Sequence, residues 1–452
     1  MSTVEMPLWA LVLLVLFAAV TFASHFLFPS VRWFFRRRLE RAVDRLNTKL
    51  QRPIQPFKLA RRHDMIQRLV YDPEVTQAVV DYARRNGVRE DVAFEKARRY
   101  AREIVPSFSA FAYFGFGTRL SRWLTHALYD VKTGRLNDDH LAGIDPEATV
   151  VFIMNHRSNM DYVLVTMLAA RASALSYAVG EWARVWPLSR LIRSMGAYFI
   201  RRKSRGELYR KVLARYVQMA TEGGVTQAIF PEGGLSLDGA LKPPKLGLLS
   251  YVIQGRADGA RDVVFVPVAI NYDRVLEDRV LVEAGQRGER KFRARMSVVL
   301  GFTAKMFWRR LRGAFHPFGT AAVAFGPPVS LAAYGAEPDV ETLGHDLMQR
   351  IGQEMPLLFM PLMARVVLAS DGPKTGDALE QEVIDLFRSI SSAPALLPDE
   401  DPQMRAARAR ARLAQRRLIL KTDAGWVANP DEIALLRYYA NAVGHGVKAA
   451  DR

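Results

Sequence analysis

Cysteine is absent from the 452 residues of the chain. Disulfide bonds, thiolate catalysis and cysteine-ligated metals are therefore excluded, and the composition fits a reducing compartment. The G-x-S-x-G motif of serine lipases is also missing, which argues against that class of hydrolase. The eight histidines are scattered along the chain and show no metal-ligand spacing, so we expect neither a metal nor a cofactor.

Acidic residues are scarce relative to basic ones. The chain has 46 aspartates and glutamates against 64 lysines and arginines, a formal net charge of +18. Such an excess needs an anionic partner, and nucleic acid and anionic lipid are the usual candidates. No recognised nucleic-acid motif is visible in the sequence, so we expect membrane lipids with anionic headgroups and no nucleic acid.

One long hydrophobic run favours the lipid. Leu8 to Phe28 contains 21 residues without a formal charge, enough for one helix to cross a bilayer. Arginines follow directly, at positions 32, 36, 37, 38, 41 and 45. The positive-inside tendency then predicts a single-pass protein of the inner (cytoplasmic) membrane with the rest of the chain in the cytoplasm. A buried core helix or an in-plane anchor is the alternative.

The chain divides into four regions. Residues 1–35 form the predicted anchor, residues 36–145 and 331–452 have helical patterns, and residues 146–330 alternate apolar runs with helical stretches. The alternation predicts an α/β fold, with a mixed, partly parallel central sheet flanked by helices. An N-terminal transmembrane helix and additional N- and C-terminal helical regions complete this prediction. An aromatic segment, Phe108 to Phe116 followed by Arg119, Arg122 and Trp123, is expected either to lie in the membrane interface or to pack on the α/β region.

The hydrophobic pattern also predicts individual elements. Strands are expected over residues 149–155, 196–200, 225–230, 263–270, 296–301 and 321–325. Helices are expected over residues 160–172, 187–194, 206–222, 341–353, 376–391 and 402–421. Pro267 interrupts one of the strands, which predicts that this strand lies at an edge or contains a bulge.

A histidine and an aspartate flank the first strand-to-helix junction. His156 and Asp161 are five residues apart, which on a regular helix would place them about 140° from each other. They can meet if His156 lies in the loop and Asp161 in the first helical turn, with Ser158 or Asn159 as N-cap. The carboxylate would then fix the imidazole tautomer and make His156 a general base. An ordinary capping cluster beside a loop histidine is the alternative.

Three further strand ends carry polar groups. Arg201 and Arg202 end the strand after Gly196 and suit a phosphate, because guanidinium groups bind two phosphate oxygens at once. Glu232-Gly233-Gly234 follows the strand ending at Phe230, where α/β sheets bind ligands. Lys242 and Lys245 supply further positive charge, and Tyr272 ends a fourth strand.

These blocks, in this order, resemble the glycerolipid acyltransferase superfamily marked by H-x-x-x-x-D. Within it the chain is most similar to membrane-bound glycerol-3-phosphate acyltransferases. The matching blocks are residues 156–161, 196–202, 230–234 and 266–273, with a weaker match at residues 436–441. The resemblance implies an acyltransferase with His156 and Asp161 as catalytic residues. It implies substrate contacts by Arg157, Ser158, Arg201, Arg202, Glu232, Gly233, Gly234, Lys242, Lys245 and Tyr272.

The implied reaction moves a fatty acyl group from an acyl thioester, acyl-CoA or acyl carrier protein, to the sn-1 hydroxyl of glycerol 3-phosphate. The product, lysophosphatidic acid, enters phospholipid synthesis. The family's third block usually continues with Arg-Ser-Arg, whereas this chain has Leu235-Ser236-Leu237. Lysophosphatidic acid or another lipid acceptor therefore stays open. A hydrolase using the same dyad, and a non-catalytic basic membrane scaffold, are the rival hypotheses.

Overall fold

The computed structural model describes residues 7–134, 143–170, 173–180, 188–201, 206–256, 261–288, 318–335, 337–390 and 401–443. Within the first helix it omits the side chains of residues 19–20, 22–36 and 39. The chain forms two compact units, Met1–Pro53 and Ile54–Arg452.

The first unit contains helix α1 (Leu8–Asn47), which runs for 40 residues without a break. Large apolar side chains between Leu8 and Phe17 are exposed. Among the described residues, none of the helices combines the length and apolar character needed to cross a membrane. The predicted span over residues 8–28 includes side chains outside the described set, and it stays a prediction.

The second unit begins with a helical layer. Its helices are α2 (Pro56–Leu59), α3 (Arg62–Val70), α4 (Pro73–Asn86) and α5 (Glu90–Ile104). Helix α4 shows why the chain turns here: Asp72 accepts a hydrogen bond from the Glu74 amide, and Gly87 ends the helix in the left-handed conformation. A π-helix (Phe111–Gly117) then leads into α6 (Thr118–Leu128).

Within the described ranges, the central sheet has eight strands. They are β1 (Asp130–Thr133), β2 (Thr149–Met154), β3 (Ser176–Val179), β4 (Tyr198–Phe199), β5 (Gln227–Ile229), β6 (Val263–Tyr272), β7 (Thr320–Phe325) and β8 (Val329–Ser330). The spatial order is β1-β7-β6-β2-β5-β3-β4, with β8 also on β6. Strand β6 pairs antiparallel with β7 and β8, and the other pairs are parallel. The predicted mixed, partly parallel sheet is confirmed.

Pro267 lies in an interior strand, so the predicted edge position is wrong. Strand β6 pairs with β2 on one side and with both β7 and β8 on the other. The pairing to β8 covers residues 264–265 and the pairing to β7 begins at residue 268. Pro267 falls in the gap between these two partners, where the ladder needs no N–H donor.

Helices connect the strands and cover both faces of the sheet. The connecting helices are α7 (Met160–Ala169), α8 (Leu188–Ser194), α9 (Glu207–Glu222), α10 (Gly247–Gln254) and α11 (Asp278–Gln286). Alternate residues of β2 enter two different cores: Phe152 packs in one, and Val151 and Ile153 pack in the other. The β2 strand is therefore buried on both faces, as strands of parallel sheets usually are.

The C-terminal region contributes to both faces of the sheet. It contains α12 (Val340–Gln353), α13 (Phe359–Ala369), α14 (Gly376–Ser389), α15 (Pro402–Gln415), strands β9 (Ile419–Thr422) and β10 (Gly425–Ala428), and α16 (Ile433–Ala440). Helices α13 to α16 contribute to the core that contains Phe152, and α12 contributes to the core that contains Val151 and Ile153. The helix predicted over residues 402–421 is wrong at its end, because Arg417 takes a positive φ of 57° and an antiparallel hairpin follows.

Other element predictions differ in detail. Strands β1 and β3 were absent from the prediction, since four-residue runs give little periodic signal. The predicted strand over residues 296–301 lies outside the described residues. The remaining predicted strands are present with shorter or longer ends.

Candidate active site

Asn155 fixes the point at which the chain leaves β2. Its side-chain Nδ2 donates to the Ile270 carbonyl at 2.9 Å, and its Oδ1 accepts from the Ile270 amide at 2.8 Å. The amide side chain therefore forms both hydrogen bonds that a backbone partner would form. The loop that begins at the next residue, His156, is consequently anchored to β6.

The predicted contact between His156 and Asp161 is present. The imidazole Nδ1 lies 2.9 Å from Asp161 Oδ2, with His156 in the loop and Asp161 in the first turn of α7. A neutral imidazole donates its Nδ1–H to this carboxylate, which puts the lone pair on Nε2. His156 is only 2% exposed, so an acceptor reaches it only if the groups that cover it move.

Asp161 is held by three further donors. Its Oδ2 also accepts from the backbone amides of Arg157, at 2.7 Å, and Ser158, at 3.0 Å. Its Oδ1 accepts from the Tyr272 hydroxyl at 2.6 Å. Burial and the neighbouring Asp161 raise the pKa of Tyr272 well above its usual value, so the hydroxyl keeps its proton and donates. The Tyr272 hydroxyl thus helps to orient the aspartate, and its predicted contact with substrate stays a prediction.

Two aromatic rings enclose the imidazole. The Phe230 ring lies 4.2 Å from the His156 ring between centroids, at an interplanar angle of 31°. The Tyr162 ring lies 5.3 Å away, edge-on at 83°. Together with the Asp161 hydrogen bond, these contacts restrict rotation of the ring and hold it in one orientation.

Glu232 connects the histidine loop to the following loop. One carboxylate oxygen accepts from the His156 backbone amide at 2.8 Å, and the other accepts from the Lys242 backbone amide at 3.2 Å. Burial raises the pKa of Glu232 to about 7. The described contacts of Glu232, predicted as a substrate contact, are thus backbone amides that fix two loops relative to each other.

The two glycines after Glu232 form a tight turn. Gly233 has a positive φ of 66°, and its amide donates to the Phe230 carbonyl at 3.0 Å. A Cβ at this position would lie 2.6 Å from Lys245 Cδ, so any other residue would displace the end of the Lys245 side chain and also strain the backbone at its positive φ. Gly234 is half-buried, and Lys245 is exposed.

Two of the cations predicted to bind phosphate are paired with carboxylates of the protein. Arg201 forms a two-point ion pair with Glu103, Nε to Oε1 at 2.8 Å and Nη2 to Oε2 at 2.6 Å. The Lys242 ammonium pairs with Asp238. Arg202 lies outside the described residues. A phosphate that used Arg201 or Lys242 would have to compete with a carboxylate.

Arg157 supports the loop that contains Asp238. Its guanidinium is buried and donates to the Gly239 carbonyl at 2.6 Å, with a longer contact of 3.4 Å to Asn271 Oδ1. It also lies over the Tyr438 ring, 5.9 Å from the centroid. Arg157, predicted to bind substrate, therefore contacts three segments of the protein: the loop at Gly239, strand β6 and helix α16.

Glu277 is a site residue that the sequence analysis missed. Its carboxylate accepts from the Ser158 hydroxyl at 2.7 Å and from the Asn159 side-chain amide at 3.1 Å. Ser158, predicted to bind substrate, is thereby engaged with protein. Burial raises the pKa of Glu277 above its usual value. No motif marks Glu277, because its partners are more than a hundred residues away in the sequence.

The C-terminal segment at residues 436–441 contacts the same loops. Asn441 Nδ2 donates to the Asp238 carbonyl at 2.9 Å. The Tyr438 carbonyl lies so close to Gly239 that a Cβ there would be 1.8 Å from it. Tyr439 accepts from the Val275 amide at 3.2 Å and donates to Asp278. The weak match at these residues thus lies beside the main blocks in space.

Comparisons with known proteins found similarity to acyltransferases. Residues 135–271 match the family model described as Acyltransferase. The chain is 29% identical over 421 residues to the glycerol-3-phosphate acyltransferase of Aeromonas hydrophila subsp. hydrophila, covering 86% of this chain and 50% of that protein. The corresponding protein of Pseudoalteromonas atlantica is 28% identical, covering 74% of this chain and 43% of that protein. The chain spans about half the length of the curated relatives it matches.

A solved structure, the 1-acyl-sn-glycerophosphate (LPA) acyltransferase from Thermotoga maritima, aligns with a TM-score of 0.33 and 19% identity, covering 57% of this chain and 80% of that one. The resemblance to glycerol-3-phosphate acyltransferases that the four blocks predict is confirmed.

Proposed function

We propose that this chain, which contains an acyltransferase domain, moves a fatty acyl group from an acyl thioester to the sn-1 hydroxyl of glycerol 3-phosphate. The product is lysophosphatidic acid. The observation that supports this most is the buried Asp161 carboxylate, which is 2.9 Å from His156 Nδ1 at the end of a central strand. The similarity to relatives named for this reaction supports the choice of acceptor.

The chemistry follows from the dyad. Nε2 of His156 takes the hydroxyl proton as the acceptor oxygen attacks the thioester carbonyl carbon, and Asp161 stabilises the imidazolium that forms. The tetrahedral intermediate then breaks its C–S bond. The leaving thiolate recovers the proton from the imidazolium, so the histidine ends neutral. The proposal includes no covalent enzyme intermediate and no metal or other cofactor, and the donor is acyl-CoA or acyl carrier protein.

Acylation of lysophosphatidic acid is the second candidate. Arg201 and Lys242, two of the cations predicted to hold the phosphate, are paired with Glu103 and Asp238. The Arg-Ser-Arg sequence of the family's third block is replaced by Leu235-Ser236-Leu237. Both facts favour an acceptor that depends less on charge and more on apolar contact.

Attachment to the inner membrane through helix α1 is part of the proposal. The exposed apolar side chains from Leu8 to Phe17 and the arginines that follow them support it. The domain after the anchor would then be cytoplasmic and close to its lipid product. Extraction of membranes with alkaline carbonate tests this, because an integral anchor stays in the pellet and a peripheral protein is released.

The test of function is an acyl transfer assay. Purified protein is incubated with a labelled acyl thioester, offered as coenzyme A or acyl carrier protein conjugate, and with glycerol 3-phosphate, lysophosphatidic acid or dihydroxyacetone phosphate. We expect labelled lysophosphatidic acid from glycerol 3-phosphate. His156→Ala should lower kcat at least about a hundredfold, since a positioned general base contributes about that much or more.

The control is His345→Ala, because His345 is an exposed histidine on helix α12 that hydrogen-bonds only within that helix among its described contacts. It should retain full activity. Labelling of lysophosphatidic acid alone would transfer the proposal to the second candidate. Release of free fatty acid without transfer would indicate a hydrolase. An unchanged rate in His156→Ala would exclude the dyad mechanism, and no turnover with any acceptor would favour a basic scaffold.

A further inference from the structure

The aromatic segment between α5 and β1 presents two different faces. Tyr113, Gly117, Ser121, Thr125 and Leu128 are buried and form the inner face of the π-helix and α6. The inner face packs on the rest of the second unit; for example, the Tyr113 hydroxyl accepts from the Leu175 amide at 3.1 Å. One of the two predicted positions of this segment, packing on the catalytic domain, thus holds for this face.

The outer face of the same segment is apolar and exposed. Phe111 is 76% exposed, Phe116 53%, Leu120 37% and Trp123 50%. The π-helical turn closes i to i+5 hydrogen bonds, so Phe111 and Phe116, five residues apart, lie on one side. Spacings of four and three residues then continue this side along α6. We call these four side chains the aromatic face.

Positive charge accompanies the aromatic face. Arg119 and Arg122 lie on α6 beside it and are exposed. The sequence from Val105 to Tyr129 contains no aspartate or glutamate. Aromatic and aliphatic side chains mixed with arginine, without acidic residues, are typical of surfaces that lie at the headgroup level of anionic bilayers.

We propose that the aromatic face docks onto an anionic lipid bilayer as a membrane contact of the second unit. Phe111, Phe116 and Trp123 enter the interface, and Arg119 and Arg122 contact lipid phosphates. The charge complementarity selects lipid over a second copy of this chain, which is itself strongly basic at +18. This inference rests on exposure and charge, and it is independent of the proposed acyl transfer.

The docking surface is one helix away from the candidate active site. Helix α6 packs directly on α7, and α7 carries Asp161 in its first turn. Docking would therefore place the helix that orients His156 within one helix layer of the lipid. An acyl chain that moves between the bilayer and the site is then exposed to water over a shorter path than it would be without docking.

The experiment uses the absence of cysteine from the chain. Phe116→Cys or Trp123→Cys in the full-length protein gives one thiol, which is labelled with an environment-sensitive fluorophore. The labelled protein is reconstituted with phosphatidylglycerol vesicles that contain doxyl-labelled lipid. We expect strong quenching by the doxyl lipid and protection from aqueous iodide at both positions. Tyr71→Cys and Val280→Cys are matched controls, because both are exposed apolar residues on elements other than the π-helix and α6, and they should show the reverse.

The two arginines give an independent test. In the Phe116→Cys background, Arg119→Gln combined with Arg122→Gln should weaken the doxyl quenching, and vesicles of phosphatidylcholine alone should have the same effect. Removing two headgroup contacts should lower the docking equilibrium about 25-fold, at about fivefold for each arginine. Iodide quenching at residue 116 equal to that at residue 71 would overturn the proposal. Concentration-dependent self-quenching of the label without doxyl quenching would also overturn it, in favour of a second copy.

Discussion

Asp161 accepts hydrogen bonds from four donors inside the protein: one imidazole, two backbone amides and one phenol. A carboxylate satisfied in this way has one orientation, and it passes that orientation to the imidazole. The base would therefore be positioned before substrate arrives, and the chemical step would need little reorganisation of the protein.

Loss of the phenol should affect turnover more than binding. In Tyr272→Phe the Asp161 carboxylate loses the donor at 2.6 Å, a hydrogen bond to a charged group worth about 1.5–3 kcal/mol. We expect kcat to fall about tenfold or more, with KM for the acceptor unchanged. Tyr129→Phe is the matched control, because Tyr129 is a buried neighbour whose hydroxyl donates to the Arg274 carbonyl. A higher KM at unchanged kcat would instead support the original prediction that Tyr272 binds substrate.

The pH dependence of stability should report on Glu232. Burial raises the pKa of Glu232 to about 7, above the ordinary 4.5. Because the pKa is higher in the folded state, the protonated form of Glu232 favours folding. This contribution to stability is complete below pH 4.5 and is lost as the pH rises through about 7. Its full size is about 3 kcal/mol. We expect the melting temperature to fall less between pH 5 and 8 in Glu232→Gln than in the parent.

The control for this measurement is Glu283→Gln, since the Glu283 side chain is exposed and pairs with Arg287 on the surface. It should keep the parental pH profile. An equally steep profile in Glu232→Gln would show that Glu232 does not titrate in this range.

At the residue scale, the sequence predicted contacts that are local. His156 and Asp161 are five residues apart; the strand-to-helix pattern indicated that they could meet, and the other blocks with their family resemblance favoured this contact over an ordinary capping cluster. The contacts of Glu232 and Glu277 to the same loop span 76 and 119 residues. They depend on which strands are neighbours, and a single sequence carries no local signal for that. The resemblance identified Glu232 and could not show that it holds backbone amides.

At the element scale, the loop around Gly239 and the C-terminal segment are in direct contact. Gly239 has a positive φ of 83°, and its missing side chain leaves room for the Tyr438 carbonyl. The loop also includes Asp238, whose carbonyl accepts from Asn441. Any side chain at residue 239 would separate the two segments.

Gly239→Ala should therefore cost more than conformational strain alone. The matched control is Gly87→Ala, which has a similar positive φ of 61° but no atom within 4 Å of the new Cβ. We expect Gly87→Ala to lower the free energy of unfolding by about 1–2 kcal/mol. Gly239→Ala should lower it further and reduce kcat/KM as well. If Gly239→Ala and Gly87→Ala lose equal stability and both keep their activity, the loop at Gly239 adapts to being moved away from the C-terminal segment.

The success of the element predictions varied with length. Long apolar runs such as Val263–Tyr272 gave clear strands, whereas the four residues Ser176–Val179 did not stand out. The helix α15 was predicted too long because alanine and arginine favour helix throughout residues 405–417. Its end depends on Arg417 adopting a positive φ, which is decided by the hairpin that follows.

At the scale of the whole molecule, one buried ion pair joins the C-terminal region to the loops of the candidate active site. Arg416 Nη2 lies 2.5 Å from Asp278 Oδ2, and their side chains are 11% and 5% exposed. The Tyr439 hydroxyl completes the cluster by donating to Asp278. Asp278 directly follows Glu277, which holds Ser158 and Asn159. The C-terminal region is thus connected to the histidine loop through a short series of contacts.

Removing the arginine should leave a buried carboxylate without its cation. We expect Arg416→Ala to lower the free energy of unfolding by about 3–5 kcal/mol, measured by urea denaturation, and to reduce kcat. Arg287→Ala is the control, because Arg287 and Glu283 form an exposed pair worth about 0–1 kcal/mol. Similar effects of the two substitutions would mean that the buried cluster contributes no more than a surface pair.

The architecture as a whole could be predicted as a class but not as an arrangement. Alternating runs indicated the mixed sheet, while the order of its strands and the identity of the helices on each face required the structure. The two faces are covered by segments that are far apart in the sequence: α3 to α5 on one face, and α13 to α16 on the other.

The side chain of Asn155 limits which insertions and deletions the sequence can accept during evolution. Because it satisfies both hydrogen-bonding groups of Ile270, Asn155 must stay opposite Ile270. The number of residues in β2 before His156 is therefore fixed. Inserting or deleting one residue upstream would shift His156 by about 3.3 Å and turn it to the opposite side of the sheet. Tolerance to length changes should therefore be lowest in this strand, and variation in length should collect in loops remote from it.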